Sequence, residues 1–176
     1  MSTRFSAESH TRLWEHLNAL DDDIAALQAP EPVSKAGAVA VLSSNSGAQS
    51  ANAFWRFAGY TVEHDSGDVL AASTGLFTLP TRGWWRLIAG GQFSNSGTSA
   101  RRVLAWESGA GSAGAGVELG RVESQFTNRW SPNLVIDRVL EAGTVVAAIT
   151  TSSATFEVRG GDYHCWASVE LVQDLT

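Results

Sequence analysis

A single cysteine, Cys165, stands in 176 residues, so no disulfide can close within the chain and no four-cysteine zinc site can be built. Charge is scarce too: 17% of residues are charged, against about 25% in an average soluble domain. A surface so poor in charge is expected to be buried in part against copies of the chain. No basic stripe is present and the net charge is −6, which argues against binding nucleic acid through its phosphates. Arg101-Arg102 is the one adjacent basic pair, and it reads as a solvated turn. No run approaches the roughly 20 apolar residues of a membrane-spanning helix, so no membrane insertion is expected. The first residues lack the apolar core of a signal peptide, so the chain is expected to be made in a cytoplasm and to keep those residues. Lysine is nearly missing as well. Eleven of the twelve basic residues are arginine, a bias that a GC-rich genome produces and that carries no mechanism.

What is present falls into three parts: residues 1–30, a linker over 31–38, and a head over 39–176. From about Ser9 to Gln28 the pattern predicts a helix. Leu13, Leu17, Leu20, Ile24 and Leu27 are spaced 4-3-4-3, the seam of a coiled coil. Ser9 suits the N-cap, and Pro30 and Pro32 end the helix. Short helices are marginal in water, so this one must draw stability from self-association or from docking on a partner.

From Val39 onward about ten strand-like runs recur with turn signals between them. They are Val39–Ser43, Ala53–Glu63, Gly75–Leu79, Trp84–Phe93, Arg102–Glu107, Val117–Gln125, Leu134–Leu140, Thr144–Thr150, Thr155–Arg159 and His164–Val172. Short strands without intervening helices predict a mainly β fold, an antiparallel sandwich or jelly roll. In the last strand Cys165, Ala167, Val169 and Leu171 share one face. The low-complexity piece Ser108–Gly116 reads as a flexible loop and a mobile tip.

Signs of catalysis are weak. Gly109-Ala-Gly111-Ser-Ala-Gly114 fits G-x-G-x-x-G, but Gly116 and Gly120 break the helix that a dinucleotide site needs, so no cofactor is expected. His164 and Cys165 are adjacent in a strand and point to opposite faces, which prevents the imidazole from activating the thiol. Asp162 and His164 share a face, but two ligands do not make a metal site. His64, Asp65 and Asp68 read as a turn, and no nucleophile elbow or catalytic carboxylate pair is present. Neither a catalytic residue nor a metal is expected. For binding, the most pointed loop is Thr127 to Pro132. There Asn128, Arg129 and Trp130 would combine a stacking surface with hydrogen-bonding groups, as sugar binders need, unless Trp130 is tucked under its own loop.

The stretch Gly75–Asn95 orders Gly-x-Phe-Thr, a proline, a glycine and then a large aromatic run. This resembles the signature strands of the complement globular head and of the tumour-necrosis-factor-like jelly roll, and the likeness covers roughly Val39 to Val172. Leu140-Glu141-Ala142-Gly143-Thr144-Val145-Val146, Phe156 and the closing strand fit the same pattern. The resemblance implies a core containing Phe77, Trp85, Leu87, Phe156, Val169 and Leu171, with Trp84, Arg86 and Ile88 pointing away from it. It also implies a tight homotrimer joined through flat apolar faces, and a binding rather than enzymatic role. The family's collagen stalk is absent, the heptad helix stands in its place, and its calcium ligands have no counterpart. A trimeric head on a heptad helix, made without a secretion signal, looks like a bacteriophage virion component. The expectation is a tail-associated fibre or receptor-binding tip (a minor tail protein), with a capsid decoration or head-fibre trimer as the alternative. Its partners would be other virion proteins, held through the helix, and host surface glycan.

Overall fold

Phe77, Leu79, Trp85 and Leu87 are fully buried, and the chain segments that carry them belong to opposite layers of a β-sandwich. The computed structural model describes residues 36–95, 99–109, 111–127, 129–161 and 164–176. Leu13, Leu17, Leu20, Ile24 and Leu27, the heptad positions, lie outside them. In chain order the strands are β1 (Gly37–Leu42), β2 (Ala48–Gln49), β3 (Phe54–Arg56), β4 (Tyr60–Ser66), β5 (Leu70–Ala71), β6 (Leu76–Thr78) and β7 (Gly83–Gly90). They continue as β8 (Phe93–Asn95), β9 (Ala100–Ser108), β10 (Val117–Phe126), β11 (Asn133–Leu140), β12 (Val145–Ser152), β13 (Phe156–Val158) and β14 (Trp166–Asp174). One sheet has the order β11-β7-β14-β1-β4. The second has the order β10-β9-β12-β6-β5, with β3 also on β12, and a small third sheet joins β2, β13 and β8. All pairings are antiparallel, and the described residues contain no helix.

Side chains one residue apart in a strand face opposite ways, and this fills the space between the sheets. Trp85 and Leu87 of β7 point inward, as do Cys165, Ala167, Val169 and Leu171 in and just before β14. From the second sheet come Phe77, Leu104 and Trp106, while Phe156 of β13 closes one end. The Phe77 and Trp106 rings meet edge to face at 5.7 Å, a favoured aromatic geometry. The buried Trp85 indole N–H donates to the Thr81 carbonyl at 3.3 Å, which keeps its polar end satisfied.

Two expectations are corrected. The run Ala53–Glu63 is not one strand. β3 pairs with β12 in the second sheet, whereas β4 pairs with β1 in the first, so the chain crosses between layers at residues 57–59. Phe57 marks the crossing: it is fully buried and its N–H donates to the Ala148 carbonyl at 3.0 Å. Gly75 makes room for it, with φ of +70° and a would-be Cβ only 1.7 Å from the Phe57 oxygen. The second correction concerns Arg101-Arg102, which lies within β9 and not in a solvated turn. Arg101 faces solvent, but Arg102 points between the sheets and is 1% exposed. Its Nη1 donates to the Phe93 carbonyl at 3.4 Å, while Nε and Nη2 have no partner among the described residues. Burial lowers the guanidinium pKa from its ordinary value.

Candidate functional site

Because β7 buries Trp85 and Leu87, it must turn Trp84, Arg86 and Ile88 outward, and its neighbours extend these three positions into rows across the five-stranded sheet. In one row Val39, Ser168, Ile88 and Val135 lie side by side on β1, β14, β7 and β11. The next row holds Glu170, Arg86 and Asp137, and the third places Trp84 beside Val139. The middle row is internally paired: Arg86 Nε donates to one Asp137 oxygen at 2.9 Å and Nη2 to the other at 3.4 Å. Those hydrogen bonds and the carboxylate charge raise the Arg86 pKa.

The flanking rows are mostly apolar and open, interrupted on β14 by Ser168 and Gln173. Trp84 is 45% exposed, Val135 57% and Val139 48%, and Val39 and Val172 add to the same face. Isolated surface valines need no explanation, but several on one flat sheet around a tryptophan make a patch suited to association. A face with apolar bands beside an already paired ionic row can be covered without stranding the arginine.

Of the two readings open for the loop at Trp130, a ligand-stacking ring or a ring tucked under its loop, the second describes the structure. Trp130 is only 6% exposed, because its backbone forms a two-way bridge with Phe93 (2.9 and 3.1 Å) that pulls the ring inward. The ring packs on Phe93 at 5.5 Å and on Phe126 at 6.2 Å. It therefore anchors the end of the sandwich and offers no stacking surface. Arg129 is exposed, and Asn128 lies outside the described residues.

The remaining candidates resolve into structural roles. Cys165 is fully buried, and that burial pushes its thiol up to about 12. The His164 ring is held at 2.9 Å from the Gly161 carbonyl, and Asp162 lies outside the described residues. Asp65 accepts the N–H groups of Val69 and Leu70 at 2.8 and 3.1 Å, the bonding of a turn. Among the described residues no group of three His, Cys, Asp or Glu side chains is placed to hold a metal. The glycine-rich loop is not a free tip. Glu107, 2% exposed, accepts the N–H groups of Gly114 and Gly116 at 2.9 and 3.3 Å, and Arg56 donates to the Gly111 carbonyl. The buried Glu107 and the part-buried Arg56 thus pin the loop against the second sheet. Sequence reasoning missed both, because the loop's composition conceals its anchors.

The layer order and the strand pairing decide the architecture. Eiger TNF from S. frugiperda superposes with a TM-score of 0.58 at 9% identity, covering 81% of this chain and 95% of that one. Murine APRIL at pH 5.0 gives 0.58 at 11% identity, covering 78% and 99%. The globular domain of zebrafish complement 1qA gives 0.52 at 14% identity, covering 76% and 95%. The fold is the tumour-necrosis-factor and complement-head jelly roll. At such identities the likeness is one of fold. No protein-family model matches the chain, and no curated protein matches it significantly.

Proposed function

We propose that this jelly roll is the non-enzymatic head of a homotrimer, and that the trimer is a virion component of a bacteriophage. The observation that carries the reading is the outward face of the five-stranded sheet, where Trp84, Val135 and Val139 remain half exposed in a single chain around the Arg86–Asp137 pair. Closed rotational symmetry is the usual way for one copy of a flat patch to cover another. The heptad positions Leu13 to Leu27 support the same state, since three clamped helices would share one apolar seam.

Within the particle we favour a tail-associated fibre or receptor-binding tip, with the helix anchored among other virion proteins and the head turned toward a host surface glycan. The alternative, a decoration trimer on the capsid, draws support from the short reach that a helix over Ser9 to Gln28 would have, about 30 Å for 20 residues. The test has two steps. Light scattering on the purified chain is expected to give about 56 kDa, three times 18.7 kDa, and a mass of 18.7 kDa would reject the trimer. Deleting residues 1–28 from particles then separates the locations. Lost host adsorption with intact heads supports the tail, and loss of the protein from otherwise intact heads supports decoration.

A further inference from the structure

On the outward side of the second sheet lies a cavity of about 180 Å³. Its floor is Val103, Ala105 and Ile149, an apolar patch separate from the main core and almost wholly buried, with Ala113 of the glycine-rich loop packed against it. Three apolar side chains on the solvent side of a sheet are unusual, because that face is normally polar. Phe54 forms one wall and is 50% exposed. Its ring lies against Gly114, where a Cβ would come within 2.4 Å of it, so the pinned loop fixes the ring's position.

Arg101, Arg121, Glu118 and Thr151 complete the rim. These charges are already matched. Arg101 Nη2 donates to Glu123 at 2.7 Å, and Arg121 lies 3.6 Å from Glu118 and 3.4 Å from Glu123. The hydrogen bond from Arg101 raises the arginine's pKa and lowers that of Glu123, so both stay ionised. The rim therefore has no spare charge for a carboxylate or an ammonium ligand. It alternates N–H donors with carboxylate acceptors above an apolar floor. A neutral pyranose ring has the matching character, with C–H groups across one face and hydroxyls around its edge. The volume, below the roughly 300–1,000 Å³ of drug-sized sites, suits a single such ring.

We infer that this cavity binds one neutral sugar residue of a glycan, with Phe54 against the C–H face of the ring and Arg101, Arg121 and Glu118 on its hydroxyls. The inference gives the proposed binding head a ligand class and a place for it. It rests on that reading only for the biological source of the sugar, since all the named residues belong to one chain. Saturation-transfer NMR on the full chain, with the methyl glycosides of glucose, galactose, mannose and N-acetylglucosamine as probes, tests it. At least one probe is expected to receive saturation at its ring C–H protons. Phe54→Ala should weaken that binding about tenfold by removing the aromatic wall. Ala105→Leu, which fills the floor, should abolish it, and Arg121→Ala, at an exposed position, should reduce it without touching the fold. No saturation of any probe at millimolar concentration would overturn the inference. So would a signal that survives Phe54→Ala and Ala105→Leu in folded protein, or binding of glucuronate in place of the neutral sugars. The mass measurement is independent, so a trimer that binds no sugar removes this inference and leaves the association reading standing.

Discussion

Val135→Asp is the sharpest test of the association face. Val135 is 57% exposed in the single chain, so a carboxylate there is solvated and leaves the monomer fold intact. In the trimer its position is covered. A fully buried valine contributes about 1.5 kcal/mol, so Val135 has about 0.8 kcal/mol left to gain on association. The substitution forfeits that and strands a carboxylate next to Asp137, two residues along the same face, at a further cost of several kcal/mol per ion. Three copies bring the loss to about 10 kcal/mol per trimer. Because trimer formation depends on the square of the monomer concentration, such a loss moves its midpoint by more than three decades. Light scattering at micromolar concentration should then read 18.7 kDa, with the far-ultraviolet circular dichroism unchanged. Val117→Asp, at a 70% exposed position on the second sheet, is the control and should remain trimeric. A Val135→Asp protein that stays near 56 kDa would refute the assignment of this face.

Arg102→Met should stabilise the fold by about 1–4 kcal/mol in urea denaturation, because an apolar side chain of similar length replaces a buried cation with two unpartnered nitrogens; a loss of stability would show that the guanidinium is better satisfied than its contacts indicate. Gly75→Ala should cost about 3 kcal/mol or more, since it combines a left-handed backbone with a collision against the Phe57 carbonyl, and a melt within error of wild type would contradict that. Cys165 should resist iodoacetamide at pH 8 and react once urea unfolds the chain. The burial that raises its pKa to about 12 keeps it a protonated thiol, and this contribution to stability is complete below the unfolded value near 9 and is lost as pH rises toward 12. Rapid labelling of the folded protein would contradict the burial.

Much of the sandwich was legible because alternation in β7 and β14 is strict, and a period of two identifies a strand with one buried face. The crossing at Phe57 was not, because a continuous run of strand formers looks the same whether it serves one sheet or two. Arg102 defeated the reading for a related reason: arginine is so rarely buried that a basic pair suggests solvent, and only the position of β9 between β10 and β12 forces the side chain inward. Trp130 was visible as an aromatic in a polar loop, but its orientation depends on Phe93, 37 positions earlier in the chain. The cavity beside Phe54 had no sequence signal of any kind. Its walls come from β3, β9, β10 and β12, four segments that meet only once the second sheet has formed.

The two outward faces of the sandwich are unequal, and that inequality bears on which of them associates. The second sheet carries the glycine-rich loop, anchored by Glu107 and Arg56, and beyond it the solvated pairs of Arg101 and Arg121 with Glu123 and Glu118. Covering those ions would cost their hydration, which opposes the gain from the apolar side chains also exposed there, Phe54, Val117 and Phe126. The first sheet carries no such loop among the described residues and presents Trp84 with the valines, so covering it removes apolar surface from water at the expense of the Arg86–Asp137 pair and the Glu170 carboxylate alone. Sheets packed face to face are about 10 Å apart, so the two layers can be used at once without obstructing each other. A trimer closed through the first sheet therefore leaves the cavity beside Phe54 facing outward on every copy. In the proposed trimer three weak sites on one head would act together on a repeated glycan surface, which a single site of 180 Å³ could not hold for long.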